Sequence, residues 1–130
     1  MQIKVTEEMG RVPVTVFQIE GAIDQDEPLL KRAEQAVESG TRYLLLGLSK
    51  VPYINSLGLR GLHAIYNMMR GKDPEESDET VLLGVRQGTY KSHHIKLLNP
   101  SQDVMNVLHI TGYDMFLDIY KDYKEAVESF

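Results

Sequence analysis

Ser56 is the residue whose setting in this chain most invites chemistry. It follows the apolar run Tyr43–Leu48 and the polar turn Ser49–Asn55, and after it Leu59, Leu62, Ile65, Tyr66 and Met69 recur at helical spacing up to Gly71. A strand, a turn and a helix start are predicted in succession, and α/β sheets usually place function at the carboxyl end of a parallel strand. Asn55 is the expected N-cap, which leaves the Ser56 hydroxyl in the first turn, beside backbone N–H groups with no partner inside the helix. A phosphoryl group on that hydroxyl would meet the positive end of the helix dipole. Serine at such a position also has a plainer use, satisfying the same backbone donors and nothing more.

Other constellations carry less. Asp24 and Asp26 fall where a helix start favours acids. Ser56, His63 and Asp24 make a Ser-His-Asp set on paper, but no Gly-x-Ser-x-Gly elbow surrounds the serine, and no Gly-x-x-x-x-Gly-Lys-Ser/Thr loop is present to cradle a phosphate. His93-His94, with Lys91 and Arg86 nearby, lacks a third ligand at metal spacing and reads as a loop feature, so neither a metal nor a cofactor is expected. His63 and His109 lie on predicted helices as surface or satisfied residues, and Met68, Met69, Met105 and Met115 are expected to fill the core. There is no cysteine, which excludes disulfides and thiolate chemistry. No catalytic set emerges, and the expectation is that the protein is not an enzyme.

The frame for these residues is one domain spanning 1–130. A hydrophobic fraction of 42% and a charged fraction of 25% exclude a mainly disordered or membrane-spanning chain. Leu44-Leu45-Leu46-Gly47-Leu48 is far shorter than a transmembrane helix, and Met1–Glu8 has neither the basic nor the apolar region of a secretory signal, so a cytoplasmic protein is expected. The formal net charge of −5 argues against nucleic acid as a partner.

Val12–Ile19 reads as a strand, with Pro13 suiting a strand start or a sheet edge. Asp26-Glu27-Pro28 opens a helix carrying Leu29, Leu30, Ala33, Ala36 and Val37, which ends at Gly40. Tyr43–Leu48 is apolar without alternation, as in a central strand covered on both faces. The acidic stretch Gly71–Glu79 reads as an exposed loop, and Thr80–Val85 leans to helix. His94–Leu98 is a strand, and Asn99-Pro100-Ser101-Gln102 opens a helix with Asn99 as cap and Gln102 at the capping-box position. That helix ends at Gly112. Phe116–Tyr120 alternates as a short strand, and Asp122 opens a last helix bearing Tyr123, Ala126, Val127 and Phe130. The alternation of strands and helices predicts an α/β layered fold with mostly parallel strands.

Ile54-Asn55-Ser56-Leu57-Gly58-Leu59 resembles the signature of STAS domains, the fold of bacterial anti-sigma factor antagonists and of the cytoplasmic tails of sulphate transporters. Gly21-Ala22-Ile23-Asp24 resembles the end of the family's first hairpin. Ile95–Ser101 and Val107–Asp114 resemble its later strand and helix. The resemblance implies a mixed, mostly parallel sheet of about four to five strands, with about four to five helices packed mainly on one face.

It implies a role as well. In the antagonists, the serine that matches Ser56 is phosphorylated by a serine kinase of ATPase fold that is also the anti-sigma factor. The unphosphorylated antagonist binds that kinase and frees a sigma factor; phosphorylation releases the antagonist until a serine phosphatase resets it. Asp24, Asn55, Ser56, Leu57 and Gly58 are then the expected partner-binding residues, and the chain is expected to be a monomer or a weak homodimer. This sequence has Asn55 and Gly47 where the family has Asp, and it inserts a segment at about 71–92. Those differences suit an alternative, a STAS scaffold that associates constitutively, with Ser56 a helix-start residue only.

Overall fold

In the computed structural model, which describes residues 1–71 and 73–130, the sheet has five strands in the order β1-β2-β3-β4-β5: β1 (Gln2–Met9), β2 (Pro13–Glu20), β3 (Leu44–Lys50), β4 (Ile95–Leu98) and β5 (Ile119–Tyr120). β1 runs antiparallel to β2, with Val5 opposite Phe17, and every later neighbour is parallel. Among the described residues the connections carry five α-helices: α1 (Glu27–Glu38), α2 (Ser56–Arg70), α3 (Asp78–Gln87), α4 (Gln102–Ile110) and α5 (Tyr123–Glu128).

The strand residues divide between the faces as a period of two requires. Phe17, Ile19, Leu44, Leu46, Leu48, Ile95 and Leu97 pack under α1, α2 and α4, against Leu29, Ala33, Leu62, Ile65, Val104 and Leu108. Val14, Val16, Leu45 and Leu98 face the other way, onto Ala126 and Val127 of α5. β3 is therefore covered on both sides, as its unbroken apolar run predicts. Removing the side chain of a fully buried residue such as Leu46 costs about 2–5 kcal/mol, so the layer beneath the Ser56 turn is tightly packed.

The predicted helix over 56–71 and the helix after Asp26 stand where expected, with Asn55 and Asp26 as their caps. Pro13 is the first residue of an interior strand. Five features depart from expectation. β1 does not emerge from the sequence reading. Its Val5 is 42% exposed and its Glu7 and Glu8 interrupt the alternation, which is how a charged sheet edge discourages further pairing. The predicted strand over Phe116–Tyr120 shrinks to Ile119–Tyr120, because Phe116 turns to pack at a tilt against Tyr66 and Tyr113, at ring centroid distances of 5.0 and 5.3 Å.

The cap of α4 is Ser101 and not Asn99. Ser101 Oγ accepts from the Val104 amide, while Asn99 takes a positive φ of 51° and donates its own N–H to Tyr120. The acidic stretch 71–79 is not simply an exposed loop. Residue 72 lies outside the described residues, but Pro74–Glu76 form a 3-10 turn, and Glu76 is buried. Met115, finally, is exposed and fills no core.

Candidate functional site

The carboxyl end of β3 leads into Val51–Asn55, and three tethers hold that turn. The Ile23 amide donates to the Tyr53 carbonyl and the Asn55 amide to the Ile23 carbonyl, which makes Ile23 and Ile54 an isolated parallel bridge beyond the main sheet. Ser101 Oγ donates to the Val51 carbonyl at 3.2 Å, so the start of α4 fixes the same turn from another side. Ile23, Val51 and Ile54 are buried beneath it.

Asn55 opens α2 in extended geometry, and its Oδ1 accepts from the Gly58 amide at 3.0 Å. Its Nδ2 donates to the Asp24 carbonyl at 3.4 Å. Gly58 presses on the backbone of Ile23 so closely that a Cβ would clash with the Ile23 carbonyl oxygen, and would also stand 2.7 Å from Ile54 Cγ1. The glycine is required by this approach of helix to loop. One turn further on, Arg60 Nε lies 3.6 Å from Asp26 Oδ2, an exposed pair of small energetic weight. The Tyr113 hydroxyl, whose pKa burial raises, donates to the Leu59 carbonyl at 3.0 Å and braces the helix from behind.

The structure thus brings all five sequence-predicted site residues to one end of the sheet. Ser56 and Leu57 are exposed on the first turn, Leu57 at 38%; Asn55 and Asp24 meet through amide and carbonyl; Gly58 is buried and acts by position. Because Asn55 occupies the cap, the Ser56 hydroxyl is not needed for it. Tyr53, 49% exposed, extends the surface beside Ser56, and Arg60 stands at i+4 from Ser56 on the same side of α2. The sequence reading did not single out Arg60 or Ser101. Their signals were the helical spacing from Ser56 and the Ser-x-x-Val cap spacing of α4.

Gly47 lies on β3 beside Gln18, whose side-chain amide occupies the space a larger residue would need. The chain has no carboxylate at that position or at Asn55, so Asp24 and Asp26 are the acids of the loop that faces Ser56.

No protein-family model matches the chain, and no curated protein is similar enough in sequence to be matched with it. Solved structures do match. An anti-sigma factor antagonist from Mycobacterium paratuberculosis superposes with a TM-score of 0.63 at 19% identity, over 98% of this chain and 93% of its own. A candidate anti-sigma factor antagonist from Thermotoga maritima gives 0.62 at 20% identity, over 89% of this chain and 86% of its own. The anti-sigma factor antagonist SpoIIAA in its unphosphorylated form gives 0.52 at 15% identity, over 94% and 92%. With its mixed five-stranded sheet and the five α-helices of its described residues, the chain has the STAS fold that these anti-sigma factor antagonists share.

Proposed function

We propose that the protein is a phosphorylation-regulated binding module that acts as an anti-sigma factor antagonist, with Ser56 as the phosphoacceptor. The observation that carries this reading is the division of roles at the head of α2. Asn55 makes the cap, Gly58 anchors the helix to the loop at Ile23, and Ser56 and Leu57 are left exposed beside Tyr53. The docking surface is then Asp24, the turn Val51–Asn55 and the first turn of α2.

The partner is an anti-sigma factor that is also a serine kinase of ATPase fold. Docking of the unphosphorylated chain occupies that partner and frees a sigma factor. A phosphate on Ser56 adds about −1.5 to −2 charges at neutral pH, in the middle of the contact and on a chain already at −5, so repulsion and desolvation separate the pair. A serine phosphatase resets the module. The chain itself supplies no catalysis and works in the cytoplasm.

The test is a pull-down from extract of the native organism with Ser56→Ala and Ser56→Glu baits side by side, read by mass spectrometry. A kinase-type ATPase retained by Ser56→Ala and lost by Ser56→Glu is the expected result. Identical retention by both baits, or by neither, overturns the switch.

A second reading is a STAS scaffold that assembles constitutively. What favours it is Asn55, which brings no carboxylate to the surface and uses both ends of its amide inside the fold. Light scattering separates the two: a large homo-assembly supports the scaffold, and a monomer or weak dimer supports the switch.

A further inference from the structure

We infer that Asp73, Glu76 and His94 form a binding site for a first-row divalent cation, at the end of the sheet opposite Ser56. This cluster is remote from Ser56 and independent of its role. The His94 carbonyl accepts from the amide of Leu44, the first residue of β3, whereas Ser56 follows the last residue of that strand. α2 spans the interval, roughly 20 Å for its fifteen residues. At its far end Arg70 donates to the Glu76 carbonyl at 3.1 Å.

The three side chains offer one ligand atom each, and those atoms all lie within 4.8 Å of one another. Asp73 and Glu76 are three apart across a 3-10 turn, the spacing that eclipses side chains on one side of such a turn. His94 Nε2 is 2.8 Å from Asp73 Oδ2 and 3.6 Å from Glu76 Oε2. Two ligands about 2.1 Å from a single tetrahedral ion stand roughly 3.4 Å apart, so these separations bracket what a shared ion requires.

Each ligand has its other polar atom already tied down. His94 Nδ1 contacts the Arg42 carbonyl at 2.9 Å, where only a protonated Nδ1 makes a hydrogen bond, and this directs the Nε2 lone pair inward. Asp73 Oδ1 accepts from the Glu75 amide at 2.9 Å. Glu76 Oε1 accepts from the Tyr90 hydroxyl at 3.0 Å and from the His93 amide at 2.9 Å. Outer contacts of this kind orient metal ligands and set their tautomers.

The independent observation is Glu76 Oε2. The Glu76 side chain is 0% exposed, and this oxygen has no hydrogen-bond partner among the described residues. An unpaired buried carboxylate oxygen is costly. A proton on His94 Nε2 does not relieve it, since that single hydrogen is directed to Asp73 at 2.8 Å and Oε2 lies beyond hydrogen-bond reach. A cation seated among the three atoms contacts all of them.

Beside the cluster is a cleft of about 320 Å³, bordered by Val37, Thr41, Met68, Asp73 and His94, through which water can complete the coordination shell. Among the described residues the two nearby guanidiniums leave the three ligand atoms alone: Arg70 binds Asp78 at 2.6 Å and the Glu76 carbonyl at 3.1 Å, and Arg42 donates to the Thr41 carbonyl at 3.2 Å. One imidazole with two carboxylates suits Zn²⁺ or Mn²⁺.

The experiment titrates the full chain with ZnCl₂ and with MnCl₂ in a calorimeter, alongside Glu76→Gln, His94→Gln and His109→Gln. The last removes a second histidine–carboxylate pair, His109 with Asp114, which stands outside the proposed site. One ion per chain is expected. Affinity should fall at least ~100-fold in Glu76→Gln and His94→Gln, because loss of an outer partner alone costs about 10- to 100-fold. His109→Gln should bind as wild type does. Nitrogen NMR of the unmutated protein guards against variants that fail to fold: Zn²⁺ should move the His94 Nε2 resonance while Nδ1 stays protonated. No binding by wild type overturns the site. So does binding that survives Glu76→Gln, or a zinc response at His63 or His109 in place of His94.

Discussion

The side-chain amide of Asn55 joins two segments that are thirty-one residues apart, accepting from Gly58 within its own helix and donating to the carbonyl of Asp24 across the loop. An aspartate keeps the first contact and cannot make the second, because a carboxylate has no N–H. It also adds a charge at the helix N-terminus that is worth about 0.3–1 kcal/mol. The two effects oppose one another, so Asn55→Asp is expected to change unfolding free energy by less than about 1 kcal/mol at pH 7, whereas Asn55→Ala, which loses both contacts, costs about 1–2 kcal/mol. Urea unfolding of the pair checks this. A loss above about 2 kcal/mol in Asn55→Asp would mean that the Asp24 contact holds the loop.

Ser56 offers the complementary case. It is exposed, and the cap does not depend on it. Ser56→Ala and Ser56→Glu should therefore both unfold within about 0.5 kcal/mol of wild type, with Glu on the favourable side through the helix dipole. Thermal melts that meet this expectation show that differences between the two baits arise at the docking surface and not from folding.

Gly58→Ala should behave otherwise. The added methyl meets the Ile23 carbonyl and Ile54, and backbone has to move to admit it. A cost of about 1–3 kcal/mol is expected, read as a lower urea midpoint at unchanged slope. A tolerated alanine would show that the loop at Ile23 yields easily, and would remove the rigidity on which the Ser56 geometry rests.

The strand, turn and helix around Ser56 were legible because every local rule agreed there: an apolar run, an N-cap asparagine, helical periodicity and a terminal glycine. β1 was not, since an edge strand with Glu7 and Glu8 lacks the alternation that marks a half-buried one. Glu76 was the costliest omission. Within the run Asp73, Glu75, Glu76, Asp78 and Glu79 a carboxylate reads as a solvated charge, and only the return of the chain at Tyr90–His94 buries this one. Asn99 and Phe116 misled for the same reason, because contacts with Tyr120 in one case and with Tyr66 and Tyr113 in the other outweighed local pattern.

Lys96 lies on β4 with its ammonium under Phe130 at 4.7 Å, donating to the Ser129 carbonyl and hydroxyl. Burial pushes its pKa below the ordinary 10.5, against an opposing pull from Asp118. The unfolded chain then binds the proton more readily than the native one, so stability rises with pH from the depressed native value up to 10.5. The tyrosines shifted upward by burial act in the opposite direction only above about pH 10, which leaves a window below it. Lys96→Met should flatten the rise in urea midpoint on the alkaline side of neutrality, below about pH 10. An unchanged slope would show that Lys96 is not its source.

The hydroxyls of Tyr66 and Tyr90 form a relay that ends on Glu76, with Tyr66 donating to Tyr90 at 2.8 Å and Tyr90 to Glu76 Oε1 at 3.0 Å. Tyr90→Phe breaks it in the middle. One buried carboxylate oxygen then keeps only the His93 amide, and the Tyr66 hydroxyl loses its acceptor. The cost should be about 1–3 kcal/mol, because groups are stranded out of water. Tyr66→Phe removes a donor and leaves the contact with Glu76 whole, so about 1 kcal/mol or less is expected. Metal affinity separates the two further. If Tyr90 orients Glu76 for an ion, Tyr90→Phe weakens Zn²⁺ binding at least ~10-fold while Tyr66→Phe leaves it nearly unchanged. Equal zinc affinities in both variants would reduce the relay to a packing device and leave Glu76 oriented by the His93 amide alone.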